Sequence, residues 1–100
     1  MYFTLKEPNK DKKSIIYIRY YVKKEKNYFK ISSGFSIHPK DWSKENRLPK
    51  SKRGGDSYKL RRITDELIKL NDKLHEAIDT IRASQFQIDN LYKRFLGSIY

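Results

Sequence analysis

A chain of 100 residues with 23 Lys plus Arg against 12 Asp plus Glu carries a formal charge of +11, which points to one small domain with a thin core and a polyanionic partner. It has no cysteine, which excludes disulfides and cysteine-based zinc sites and fits a reducing compartment. There is no run of ~18 apolar residues and no apolar leader at the N-terminus, so the expected location is cytoplasmic, with no membrane partner.

The charge is unevenly placed. Residues 1–53 hold 15 Lys plus Arg against 5 Asp plus Glu, a net of +10, and residues 54–100 hold 8 against 7, a net of +1. In the basic half, charge alternates with aromatic and β-branched residues, as in Tyr17-Ile18-Arg19-Tyr20-Tyr21-Val22-Lys23. Positive charge on strand-forming sequence, rather than on an amphipathic helix, favours nucleic acid over an anionic membrane surface.

Residues 2–7 alternate, with Phe3 and Leu5 set against Tyr2, Thr4 and Lys6, and predict a short strand. A polar turn follows from Pro8 to Lys13. Residues 14–23, rich in Ile, Tyr and Val, predict the strongest strand. After the tight connection Lys24-Glu25-Lys26-Asn27, residues 28–33 predict a third strand. Short loops between the three imply an antiparallel meander. Gly34 breaks the pattern, and Phe35 to Ile37 predict a possible short fourth strand. Pro39-Lys40-Asp41-Trp42 reads as a turn that folds Trp42 back onto the core. Residues 43–57, with Gly54-Gly55 at their centre, read as a polar loop and linker.

From Tyr58 the period becomes helical. Leu60, Leu67, Leu74 and Ile81 recur every seven residues, with Ile63, Leu70 and Ala77 as a second row. They form one apolar stripe on a helix of ~25 residues and ~37 Å. Ser84 to Phe86 breaks it. Asp89 is the expected cap of a last short helix carrying Leu91, Tyr92, Phe95 and Leu96, with Gly97 as its stop. The fold class is therefore α+β: a three-stranded antiparallel sheet covered by one long amphipathic helix, then a short helix.

Strand alternation assigns Tyr17, Arg19, Tyr21 and Lys23 to one face of the sheet, with Tyr28, Lys30 and Ser32 on the third strand and Thr4 and Lys6 on the first. The other face carries Ile16, Ile18, Tyr20, Val22, Phe29, Ile31, Phe3 and Leu5, and wants the helix stripe as its cover. The polar face is rich in phosphate and base-edge donors, and a sheet of this size fits a DNA major groove ~12 Å wide. Arg19, Lys30, Tyr17, Tyr21, Lys6, Lys23, Tyr28 and Ser32 are thus the candidate DNA-binding residues. The same composition also fits the ordinary solvated side of an antiparallel sheet. Likewise, the helix stripe fits either packing across its own sheet or a coiled-coil dimer.

No catalytic constellation emerges. His38 and His75 lie in different elements with no companion ligand, and Lys52-Arg53-Gly54-Gly55-Asp56 lacks phosphate-loop spacing. No cofactor or metal is implied.

The ordered set Ile16-Tyr17-Ile18-Arg19-Tyr20, Ile31-Ser32-Ser33-Gly34 and Phe35-Ser36-Ile37-His38-Pro39-Lys40-Asp41-Trp42, followed by the long helix, resembles the N-terminal arm-type DNA-binding domain of tyrosine recombinases. The form is that of the phage-integrase family common on Bacteroidetes mobile elements. Tyr20-Tyr21 stand where that family often has smaller or aliphatic residues. The resemblance implies an arm-type domain over 1–83 (sheet 2–38, loop 39–57, helix 58–82), and over 84–100 a linker and the start of the core-binding domain. It implies sequence-specific double-stranded DNA binding that anchors a recombinase on arm-type sites for DNA integration and recombination. The implied partners are double-stranded DNA, the chain's own core-binding and catalytic domains, and other recombinase protomers on DNA. The family's catalytic residues belong to the catalytic domain, so none is carried onto this chain and Tyr100 is not read as a nucleophile. The alternatives are a coiled-coil oligomerisation module and an RNA-binding sheet, the latter requiring exposed aromatics for base stacking.

Overall fold

A computed structural model describes residues 2–50, 57–81 and 87–99. Strands β1 (Tyr2–Leu5), β2 (Ser14–Val22) and β3 (Asn27–Ile37) form one antiparallel sheet in the order β1-β2-β3. A single 3-10 turn, Pro39–Asp41, leads into a hairpin of β4 (Trp42–Ser43) and β5 (Leu48–Pro49). Helices α1 (Ser57–Thr80) and α2 (Ile88–Ile99) complete the chain. The Gly54-Gly55 linker and the break at Ser84 to Phe86 lie outside the described residues.

The register fixes which residues share a face. Phe3 pairs with Ile18 and Leu5 with Ile16 across β1 and β2, and Ile18 pairs with Ile31 and Tyr20 with Phe29 across β2 and β3. These pairs line the inner face. One apolar cluster joins Phe3, Leu5, Ile16, Ile18, Phe29 and Ile37 to Trp42, to Leu60, Leu67, Leu74 and Ala77 of α1, and to Leu91 and Phe95 of α2. The helix stripe is therefore spent within the chain: α1 packs against α2, β3 and β5.

Three details differ from expectation. The segment from Phe35 to Ile37 is not a separate strand but the end of β3. Gly34 takes φ +84 at a bulge where the single residue Ile16 faces three of β3, Ser33, Gly34 and Phe35. The loop 39–57 contains the 3-10 turn and then the β4–β5 hairpin, seated by Trp42 and Pro49, which pair with one another and are buried. Gly97 does not stop α2, which runs on to Ile99, and Asp89 lies in its first turn. The expected short helix is present, and Leu91 and Phe95, 0% and 1% exposed, sit in the core beneath the sheet.

Polar contacts hold α2 in place. The Glu25 carboxylate, from the β2–β3 turn, accepts from the Ile88 amide at 2.9 Å, the arrangement a helix N-terminus favours. The Tyr92 hydroxyl accepts from the Lys30 amide at 3.0 Å and donates to the Lys30 carbonyl at 2.6 Å. Strand β3 is an edge strand, so this hydroxyl satisfies backbone groups that the ladder leaves open. Phe29 packs against both the Tyr92 ring (4.5 Å) and the Phe95 ring (5.8 Å, edge-on).

Candidate nucleic-acid interface

The outer face of the sheet follows directly from the same register. Tyr2, Arg19 and Lys30 make one cross-strand row, Thr4, Tyr17 and Ser32 a second, and Tyr21 and Tyr28 a third. Six of the expected residues, Arg19, Lys30, Tyr17, Tyr21, Tyr28 and Ser32, thus share one surface. Lys6 and Lys23 are exposed and lie one residue beyond the ends of β1 and β2, at opposite ends of the sheet. The Lys6 amide still bonds the Ile15 carbonyl at 3.0 Å, so the two lysines stand roughly 26 Å apart along the strand direction at ~3.3 Å per residue.

The cations of this face rest on tyrosine rings. The Arg19 guanidinium lies 4.2 Å from the Tyr28 ring centre and 5.8 Å from that of Tyr2. The Lys30 ammonium lies 4.5 Å from the Tyr17 ring. Tyr21 and Tyr28 stack at 5.0 Å with a 57° tilt. No carboxylate pairs with Arg19 or Lys30 among the described residues. The two cations are also directly opposite one another on neighbouring strands, an arrangement that repels unless an anion meets both. The buried Nε of Arg19 has no acceptor among the described residues, the kind of unmet donor that calls for a functional explanation.

Two residues join this surface that are not among the candidate DNA-binding residues. Tyr2 has the parity of Thr4 on β1, so alternation was enough to find it. Arg47 comes from the β4–β5 turn and places its guanidinium 4.3 Å from the Tyr2 ring. The two residues are 45 apart in the chain, and no local pattern links them.

Other polar groups have structural work. The Ser32 hydroxyl accepts from the Gly34 amide at 3.1 Å, and the Ser33 hydroxyl from the Phe35 amide at 3.1 Å. Both fill donors opened by the bulge. His38 accepts from the Lys40 amide through Nδ1 at 3.1 Å and meets the Asp11 carboxylate through Nε2 at 2.7 Å. It caps the 3-10 turn and ties it to the β1–β2 loop. In that loop a hydrogen bond from Lys10 holds the Glu7 carboxyl below its usual range, with the charge of Lys12 adding to the effect. Among the described residues no three His, Asp or Glu side chains gather in a way that would hold a metal ion, and no helix is long and apolar enough to cross a membrane.

Comparison with known proteins found no similar curated protein and no similar solved structure. A family match, however, runs over residues 2–94, from the first strand of the sheet into α2 and so across the whole cation-bearing face, and by that match the chain belongs to the Arm DNA-binding domain family.

Proposed function

We propose that the outer face of the sheet enters the major groove of double-stranded DNA and anchors a tyrosine recombinase on arm-type sites, with strand exchange carried out by a catalytic domain elsewhere in the enzyme. The observation that carries this reading is the opposed pair Arg19 and Lys30, packed on tyrosines with no carboxylate partner among the described residues. Three strands at ~4.8 Å spacing are ~10 Å across, which suits a groove ~12 Å wide. Arg19, central in the sheet, is placed for a bidentate contact to a guanine edge. Lys30, Lys6 and Lys23 surround it with phosphate contacts, and the tyrosine and Ser32 hydroxyls add backbone contacts that set register. The reading extends to a mobile-element integrase working in the bacterial cytoplasm beside its own core-binding domain.

The main rival is single-stranded RNA, since Tyr21 and Tyr28 are 44% and 40% exposed. Yet the rings of Tyr2, Tyr17 and Tyr28 each already carry a cation on one face, which argues against a row of open stacking platforms. Fluorescence anisotropy with a labelled duplex, competed by unlabelled duplex or single-stranded RNA, separates the two. Duplex should compete better, and affinity should fall by about a thousandfold between about 50 and about 200 mM salt if six phosphates are met. Preferential competition by RNA, or affinity indifferent to salt, would count against the proposal.

A further inference from the structure

We propose that Arg47, presented by the β4–β5 hairpin, is a phosphate-contacting residue that widens the DNA interface at the β1 edge of the sheet. This rests on the reading of the sheet face as a duplex interface and adds to it a residue from outside the sheet.

The hairpin is built as a rigid mount. Trp42 pairs with Pro49 and both are buried; Ser43 pairs with Leu48. The Lys50 amide bonds the Asp41 carbonyl at 2.7 Å, closing the base. At the tip the Arg47 amide bonds the Ser43 carbonyl at 2.8 Å, and the Asn46 amide bonds the Ser43 hydroxyl at 3.2 Å. This turn holds Arg47 at φ 55, a left-handed conformation that glycine adopts without strain and arginine does not. A residue that costs backbone energy where glycine would not is explained by its side chain. That side chain is exposed, lies on the Tyr2 ring at 4.3 Å and has no carboxylate partner among the described residues.

Position decides the kind of contact. Tyr2 is the β1 member of the row Tyr2, Arg19, Lys30, and β1 is an edge of the sheet. Arg47 therefore adds a cation at the end of the row, beyond the central Arg19. With the sheet nearly as wide as the groove, groups at its edge meet the sugar-phosphate backbone, and groups at its centre meet base edges. Arg47 accordingly contributes affinity without base preference.

Arg47→Gly tests this because it removes the guanidinium and the backbone cost together. The variant should melt at or above the wild-type temperature and bind duplex DNA more weakly. Its salt slope should be smaller by about 0.9, so the wild-type advantage shrinks about 3.5-fold between about 50 and about 200 mM salt. The loss should be equal on A·T-rich and G·C-rich duplexes, and Arg47→Lys should keep the wild-type slope. If the wild type binds duplex but Arg47→Gly binds equally well with the same slope, Arg47 is not a contact and the sheet reading stands without it. A loss confined to one duplex composition would make it a base reader, and a clear drop in melting temperature would make it a structural brace; either overturns the assignment. A wild type that ignores duplex DNA removes the underlying interface and this residue's role together.

Discussion

Arg19→Ala separates binding from folding most sharply. The side chain is half-buried at the centre of the outer face, opposite Lys30 and stacked on Tyr28. Removing it forfeits a cation–π contact of ~0.5–1 kcal/mol. It also relieves repulsion with Lys30, worth roughly 0.2–1 kcal/mol by cross-strand pair scales, and takes away a buried donor that has no acceptor among the described residues. These terms oppose one another, so folding stability should change by about 1 kcal/mol or less. DNA binding should change far more. A bidentate fork to a base is worth ~1–3 kcal/mol, or about 5- to 150-fold in Kd. Arg19→Lys keeps the charge and loses the fork, so it should recover the salt slope but little of the sequence preference. Thermal melts and anisotropy titrations on the same samples give both quantities. If Arg19→Ala unfolds the domain, the face assignment is wrong; if it binds DNA as the wild type does, the sheet centre is not the reading surface.

Two further substitutions probe the inner side of the sheet. Phe29 is 0% exposed between Tyr92 and Phe95, so Phe29→Ala should cost ~3–5 kcal/mol out of a total of ~5–15 kcal/mol for a chain of this size; a urea midpoint close to wild type would mean the ring is not the keystone of the core. Tyr92→Phe keeps the ring and removes both bonds to Lys30, which should cost about 1 kcal/mol at this partly solvated edge and speed hydrogen exchange of the Lys30 amide; unchanged protection there would show that α2 does not close the β3 edge.

The sheet and its two faces were legible because a strand's period is short and its consequence is local. Alternation over 14–23 placed Arg19 and Ile18 on opposite sides, and the pairing of Tyr17 with Ser32 and Arg19 with Lys30 keeps like with like. The heptad stripe from Leu60 to Ile81 was equally plain, though only the tertiary structure shows that the sheet and α2 occupy it. What was not legible depends on distant partners. Strands β4 and β5 have two residues each, too few for a period, and the second contains a proline, which argues against a strand on its own. The pair forms where Trp42 enters the core, with Leu48 packed against that core and Pro49 buried opposite Trp42. The same distance hides Arg47 on Tyr2, Glu25 on Ile88 and Tyr92 on Lys30, the last two 63 and 62 residues apart.

Gly34 is the case where local reading and tertiary structure met halfway. Glycine in a strand suggests a break or a bulge, and the register resolves it as a bulge: Ser33 to Phe35 face Ile16 alone, and pairing resumes with Ser36 opposite Ile15. Phe35 and Ile37 still pack against or into the core afterwards, so β3 bends without losing its inner side. A Cβ added at Gly34 would meet nothing within 4 Å, but φ is +84. The cost of Gly34→Ala is therefore a backbone cost with no steric part, ~1–2 kcal/mol. Gly34→Asn, which tolerates the left-handed region better, should lose less. Because the bulge amides are held by Ser32 and Ser33, Ser32→Ala should also destabilise, by about 1 kcal/mol, whatever it does to DNA contacts. Urea melts of the two Gly34 variants beside the wild type rank the three proteins: wild type above Asn, Asn above Ala. Equal stability of Gly34→Ala and wild type would mean that the bulge relaxes to an ordinary φ. The path from Ser33 to Ile37 would then owe its course to the burial of Ile37 and not to glycine.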